Sequence, residues 1–329
     1  MKHRVGIREV AKAARVSVGT VSHYLNGRFV SAERSGRIKV AIDELGFTRN
    51  MLAKGMRAQR SSLIGLCIPY PTFSNFSALI DALDICVSDA NYELMLALSR
   101  QEPDKEFNRV KNLVAFQVGG LLLVPSLEPR AMLDYLHAQG VPTVIVSRPM
   151  PEEERFDQVV ADHEAAMYKV TAAVAARGRR NILFVARFPS LSVSRRRAGA
   201  MARAIDDSGL AVRSQMIACL NDETEFGRQF EAEMHPSDRP DAVILSNDIL
   251  AAWTLKGLDR LGIDRALVSV VSLHKPVWAD LVHPGIGYVE QPTAEMAHQA
   301  WECLLARISE PERAPRRILL EPTIHAEHL

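Results

Sequence analysis

From Leu63 onward the chain alternates strand-sized apolar runs with helix-length stretches, and this order constrains the fold more than any other feature. The runs read LIGLCIP, ELMLALS, GLLLVP and PTVIVSRP, then NILFVAR, QMIACL, DAVILSN and LVSVVSL. Between them the pattern predicts helices near 75–90 and 103–117, one between GLLLVP and PTVIVSRP, one from Asp162 to Arg177, and others over 195–208, 224–234 and 248–261. Strands alternating with helices of ~10–15 residues form βαβ units with parallel sheets. Because the cycle restarts after Asp162, two doubly wound α/β lobes are expected. Ligands of such sheets lie beyond the carboxyl ends of the strands, and two facing lobes make a cleft there. No GxGxxG or GxxxxGK[ST] follows any run, so a dinucleotide or P-loop site has no support.

With 329 residues, 47% hydrophobic and 24% charged, the chain has globular composition and room for two or three folding units. No apolar run approaches the ~20 residues of a membrane helix, and the basic start MKHRVGIREV lacks the apolar core of a signal peptide. Cys67, Cys86, Cys219 and Cys303 are far apart, which fits neither a zinc site nor a disulfide framework. A cytoplasmic protein without metal, cofactor or membrane partner is expected. Its net charge of +1 conceals an asymmetry. Residues 1–60 carry 13 Lys/Arg against 4 Asp/Glu, a net of +9, which leaves −8 for the other 269. A basic head on an acidic body is the electrostatic footprint of a nucleic-acid reader.

In that head, Ile7, Val10, Ala11 and Ala14 form one helical face. Ser17 is a good N-cap for a second helix with Val21 and Leu25 inward. A third begins at Ser31 or Ala32, carries Ile38, Ala41, Ile42 and Leu45 on its stripe, and stops at Gly46. Three short helices in a basic head make a helix-turn-helix.

The segment VAKAARVSVGTVSHYLNG, with ELGF and NMLAKGMR after it, resembles the lactose-repressor (LacI/GalR) family of bacterial transcription regulators. The resemblance implies a helix-turn-helix head over 1–48, a hinge over 49–61 and an effector-binding and dimerisation body over 62–329. Lobe 1 would comprise about 62–160 and 292–320, lobe 2 about 161–291 and 321–329, both of periplasmic-binding-protein type. The second head helix would enter the major groove of a pseudo-palindromic operator, bound by a homodimer. Val18, Gly19 and His23 fall where the family reads bases, with Ser17, Thr20 and Ser22 nearby. Asn26 and Arg28 would position on phosphates. In the hinge, Asn50 and Lys54 would also contact DNA, and Met56 would be the minor-groove wedge. Three departures stand out. Arg15 replaces the family's turn Gly, Arg49 replaces a Pro, and Gly55 beside Met56 costs ~1 kcal/mol of helix propensity.

The same resemblance implies an effector pocket. Arg196 in RRAG matches the Arg that grips ligand, and Asn247 in LSND matches the family's usual Asn. Asn75 and Phe76 in PTFSNFS belong to the cleft mouth, and Ser126 and Ser147 complete the candidate lining. The acid expected near Ser147 is absent, and the usual Asp of GFDD or GYDD is His274, followed by Lys275. Donors thus replace acceptors, which favours a carboxylate or phosphate effector. A neutral sugar or nucleoside, and an effector-independent DNA binder with a vestigial pocket, remain the alternatives. Catalysis is not expected, since HExxH, GxSxG and metal-ligand spacing are all missing.

Overall fold

The computed structural model describes residues 5–25, 27–47, 61–127, 129–218, 222–281 and 285–326. The chain divides into two compact units, Met1–Ser61 and Ser62–Leu329.

The first unit contains α1 (Ile7–Ala13), α2 (Val18–Leu25) and α3 (Ala32–Leu45). Val10, Ala11, Ala14, Val21, Ile38 and Ala41 form its core. Five of these are Val or Ala at helical spacing, so the short helices approach closely. Ser17 caps α2 by accepting from Thr20 N at 3.0 Å. Gly46 ends α3 in the left-handed region at φ 59°. The turn between α1 and α2 is made without glycine, because Arg15 itself adopts φ 52°.

The second unit holds two six-stranded sheets. Sheet one runs β11 (Arg317–Leu320), β5 (Asp157–Ala161), β4 (Thr143–Ser147), β3 (Gly120–Leu123), β1 (Leu63–Ile68) and β2 (Glu93–Leu98). All its neighbours are parallel. Sheet two runs β12 (Thr323–His325), β10 (Gly287–Glu290), β9 (Ser269–Ser272), β8 (Ala242–Leu245), β6 (Asn181–Ala186) and β7 (Arg213–Ala218). It is parallel except for the antiparallel β10–β12 pair.

Alternation along each strand dresses both faces. In sheet one, Ile64, Leu66, Leu122, Val144 and Val159 pack against α4 (Ser74–Asp89) and α11 (Thr293–Ser309). On the reverse, Cys67, Leu121, Leu123 and Ile145 pack against α5 (Pro103–Ala115) and α6 (Arg130–Ala138). In sheet two, Leu183, Val185 and Val243 meet α9 (Glu223–Glu233) and α10 (Asp248–Arg260). Ile182, Phe184 and Ile244 meet α7 (His163–Ala176) and α8 (Ser192–Ser208). Gly120 lets α11 sit close, since a Cβ there would lie 2.8 Å from Leu304 Cδ1.

The eight runs read from the sequence are all strands, whereas β5, β10, β11 and β12 have no counterpart in that reading. They are short, and β11 and β12 are half-exposed, so their apolar pattern is weak. Yet these are the strands of the crossovers. The chain leaves sheet one after β5, returns from β10 through α11 to β11, and passes again to β12. The PERAPRR segment (311–317) is also tied inward. Arg313 and Arg307 both pair with the fully buried Asp157, at 2.9 and 3.0 Å.

Candidate functional site

Two places carry the expected chemistry, and each is built differently. On α2, Val21 is fully buried while Val18 is 41% exposed. Gly19 and His23 are exposed, and Thr20 and Ser22 are half-buried. Positions 18 and 22, and 19 and 23, are one turn apart, so they share the outward side of the helix. A Cβ on Gly19 would come no closer than 3.6 Å to Ser17 Oγ, so its lack of a side chain leaves the surface open without any internal need for glycine. Arg28 is exposed, as are Arg8, Lys12, Arg15, Arg34, Arg37 and Lys39. Ser17 is committed to its cap and also bonds Thr20 Oγ1 at 2.8 Å. Asn26, Asn50, Lys54 and Met56 lie outside the described residues.

The second place is a cavity of about 60 Å³ between the two sheets, walled by segments that follow the carboxyl ends of β1, β4, β6, β8 and β9. Asn75, Phe76, Ser147, Asn247 and His274 line it, as the sequence suggested. Asn247 caps α10, its side chain accepting from Leu250 N at 3.0 Å.

Three candidates are not among the lining residues. Arg196 pairs with Glu164, which also takes Arg203. The neighbouring Arg197 lines the cavity and is 5% exposed. One residue along a helix is a rotation of about 100°, so the RRAG motif presents its second Arg, rather than its first, to the cleft. Lys275 bonds Glu290 at 3.2 Å and sits over the Tyr288 ring, half-exposed. Ser126 donates to Glu106 through both its backbone N and Oγ, at 2.8 Å each.

Four basic residues that the sequence reading did not single out replace them: Arg148, His163, Arg187 and Arg197. Arg148 and Arg187 directly follow strands β4 and β6, and the strand-end rule identifies both. His163 opens α7 after β5, a strand that was not anticipated, and had no such signal.

Ser147 shapes the wall by an uncommon turn. Its φ is 68°, and Arg148 N donates across it to Val146 O at 2.8 Å, the pattern of a γ-turn with a strained central residue. The Ser147 carbonyl accepts from His163 Nε2 at 3.1 Å. That bond fixes the tautomer, leaving His163 Nδ1 to accept from Arg197 Nη2, also at 3.1 Å. Arg148 Nη1 donates to Gln101 Oε1 at 2.8 Å and to Pro125 O at 2.9 Å. Arg187 lies over the Phe73, Phe188 and Trp253 rings, 5.5 to 5.8 Å from their centroids.

Burial lowers the guanidinium pKa of Arg148 to about 10 and that of Arg197 to about 9, so both stay charged at neutral pH, at a cost in solvation. Burial, then neighbouring positive charge, holds His163 and His274 well below the usual imidazole range. Among the described residues no Asp or Glu lines the cavity. Asp248 is close by but accepts from Ser74 N at 3.3 Å, linking the head of α10 to that of α4, and burial raises its pKa. Behind the wall, burial lifts the Glu106 carboxyl to about 7 despite the Ser126 hydrogen bonds. The described residues hold no cluster of three or more His, Cys, Asp or Glu suited to a metal. None of their helices is long and apolar enough to cross a membrane.

Comparison with known proteins agrees with this division. Residues 6–50 match the model of bacterial regulatory proteins of the lacI family, and residues 171–326 match a periplasmic binding protein-like domain. The chain is 28% identical over 97% of its length to the HTH-type transcriptional regulator KdgR of Bacillus subtilis, covering 95% of that protein. It is 27% identical to the HTH-type transcriptional repressor PurR of Vibrio atlanticus, over 97% of this chain and 96% of the relative. Among solved structures, the lac repressor dimer bound to operator and the anti-inducer ONPF superposes with a TM-score of 0.84. It covers 98% of both chains at 19% identity, a likeness of fold.

Proposed function

We propose that this chain, which belongs to the LacI family of bacterial regulatory proteins, is a repressor that binds a pseudo-palindromic operator as a homodimer and answers to a small anion in its cleft. That it is a DNA-binding regulator switched by a small-molecule effector follows from the family. The α2 surface of Val18, Gly19, Ser22 and His23 would face base edges, with Arg28 on a phosphate. Met56 from each hinge would wedge the centre of the site. Ile85 on α4, Leu96 on the edge strand β2 and Phe116 after α5 are exposed apolar side chains of lobe 1 that a second copy could cover.

One observation carries the anionic reading: Arg148, Arg187 and Arg197 converge on a cavity whose described lining holds no carboxylate. Buried cations are ordinarily paired. For Arg197, which is buried and pairs with no carboxylate among the described residues, an external anion would supply the counter-charge. Because Arg148 belongs to sheet one and Arg187 and Arg197 to the elements of sheet two, an anion held by both would draw the lobes together. Lobe closure is then linked to operator affinity, and each ligand changes the other's affinity by the same factor.

The test is a thermal-shift panel on the full chain, setting sulfate, sugar phosphates and small carboxylates against neutral sugars and nucleosides. A ligand at 100 times its Kd stabilises by about 2.7 kcal/mol. Anions should raise Tm of the wild type and leave Arg197→Ala unmoved. Stabilisation by neutral compounds alone would remove the anionic reading and leave the regulator intact.

A further inference from the structure

His163 and His274 both line the cleft, but only one of them is fully committed. His163 uses both ring nitrogens, one toward Ser147 O and one toward Arg197. A proton on its Nδ1 would break the bond from Arg197, so its neutral form is built into the wall. His274 is 8% exposed, and its Nδ1 has no hydrogen-bond partner. The Nε of Arg197, on the same cavity, also has none. A buried ring nitrogen without a partner calls for an explanation. In a cleft shaped for negative charge, an anion supplies the missing acceptor once that nitrogen carries a proton.

We propose that an anion enters this cleft together with one proton, which His274 takes up from solvent at Nδ1 as it becomes a donor to the anion. This inference rests on the anionic reading of the site.

The groups around His274 favour this exchange. Arg197 from α8 and Arg148 beyond β4 oppose a further positive charge in the cleft, in addition to the cost of burial, and the neutral His163 from α7 faces the same space. Arg187 lines the same cavity from the end of β6. Lys275, next in the chain, is engaged by Glu290. Of the acids in the neighbourhood, Glu106 is engaged by Ser126, while Asp248 accepts from Ser74 through one oxygen and its Oδ1 has no partner. A bound anion therefore provides the negative charge that reverses the balance at His274. Protein and ligand together gain one proton from solvent; the N–H bond at His274 Nδ1 is the only bond made, and none within protein or ligand is broken.

Isothermal titration of the full chain with sulfate tests this, because sulfate keeps its own charge between pH 5.5 and 8. Affinity should fall by up to about tenfold per pH unit. Repeating the titration in buffers of different ionisation enthalpy should count about one proton taken up per sulfate. In His274→Gln the profile should become flat, with His274→Asn as the second variant if the first does not fold. Glu106→Gln should keep the wild-type slope. Saturable, Arg197-dependent binding with no proton uptake would overturn the proton coupling and leave the anion site standing. A slope lost in Glu106→Gln and kept in His274→Gln would overturn it by moving the proton to Glu106. No saturable sulfate binding would overturn the anionic reading and the coupling with it.

Discussion

The head and the cleft use the same kinds of side chain in opposite surroundings. In the head, Arg8, Arg15, Arg28, Arg34, Arg37 and Lys39 stand in solvent around a small core of Val, Ala and Ile, and among the described residues none of the buried polar side chains lies there. In the cleft, Arg197, His163 and His274 are buried and Arg148 is half-buried, with burial the largest influence on all four. Solvated cations attract a long polyanion at range and tolerate replacement one at a time. Desolvated cations hold their charge at a cost, so they discriminate strongly between occupants and respond to the loss of a single partner.

The largest test of this contrast is salt. Operator affinity should drop by roughly 10³-fold between 50 and 200 mM salt, through counterion release at the head's phosphate contacts. Over the same interval, anion affinity in the cleft should change by less than about tenfold, because buried charges are weakly screened. Parallel falls in the two titrations would mean that the cleft arginines are solvated after all.

Next in size is Arg197→Met, which should act strongly on binding and little on folding. Losing charge-assisted hydrogen bonds of ~1.5–3 kcal/mol should weaken anion binding by roughly 10- to 100-fold. The unliganded protein should change little in Tm, since removing a buried guanidinium that has no carboxylate offsets the loss of its hydrogen bond to His163 Nδ1. A lower Tm in the unliganded variant would assign Arg197 a structural role.

Glu106 tests whether the wall behind the cleft desolvates an acid as it does the bases. Its pKa is raised from 4.5 to about 7, so the folded state binds the proton more tightly than the unfolded chain. The resulting stability is fully present below about pH 4.5 and is lost as pH rises through about 7, on the order of 3 kcal/mol in all. Denaturant titrations of wild type and Glu106→Gln should therefore diverge between pH 5 and 8, with wild type weakening relative to the variant. A constant difference would show that Glu106 ionises like a solvated acid.

The smallest effect belongs to the head. Arg15 at φ 52° carries the left-handed strain of a non-glycine residue, ~1–2 kcal/mol. Arg15→Gly should stabilise the head by about 1 kcal/mol or less once the glycine's chain entropy is counted. If Arg15 contacts a phosphate, the variant should also lower the salt slope of operator binding by about one. An unchanged slope with higher stability would leave Arg15 as a strained turn residue and nothing more.

Much of this was legible in the sequence because it depends on local periodicity. Val10, Ala11, Ala14, Val21, Ile38 and Ala41 were readable as a head core, since helical spacing alone puts them on facing stripes. The eight apolar runs were readable as strands of parallel sheets for the same reason. The crossover strands escaped because a short edge strand such as β11 needs only its partner β5 to form, and its sequence shows no clear alternation. Charge asymmetry, the helix-turn-helix and the donor-rich character of the cleft were likewise determined residue by residue.

Tertiary structure alone decided which donors meet. Arg196 and Arg197 are equivalent as letters, but the rotation of α8 sends one to Glu164 and the other to His163. His163 acquires its role from a contact with Ser147, sixteen residues earlier, across a γ-turn that no residue preference announces. Sequence fixes what each segment can offer, through properties that act within a few residues. The cleft's chemistry depends on distances between segments and on the water that their packing excludes, and only the folded chain sets those.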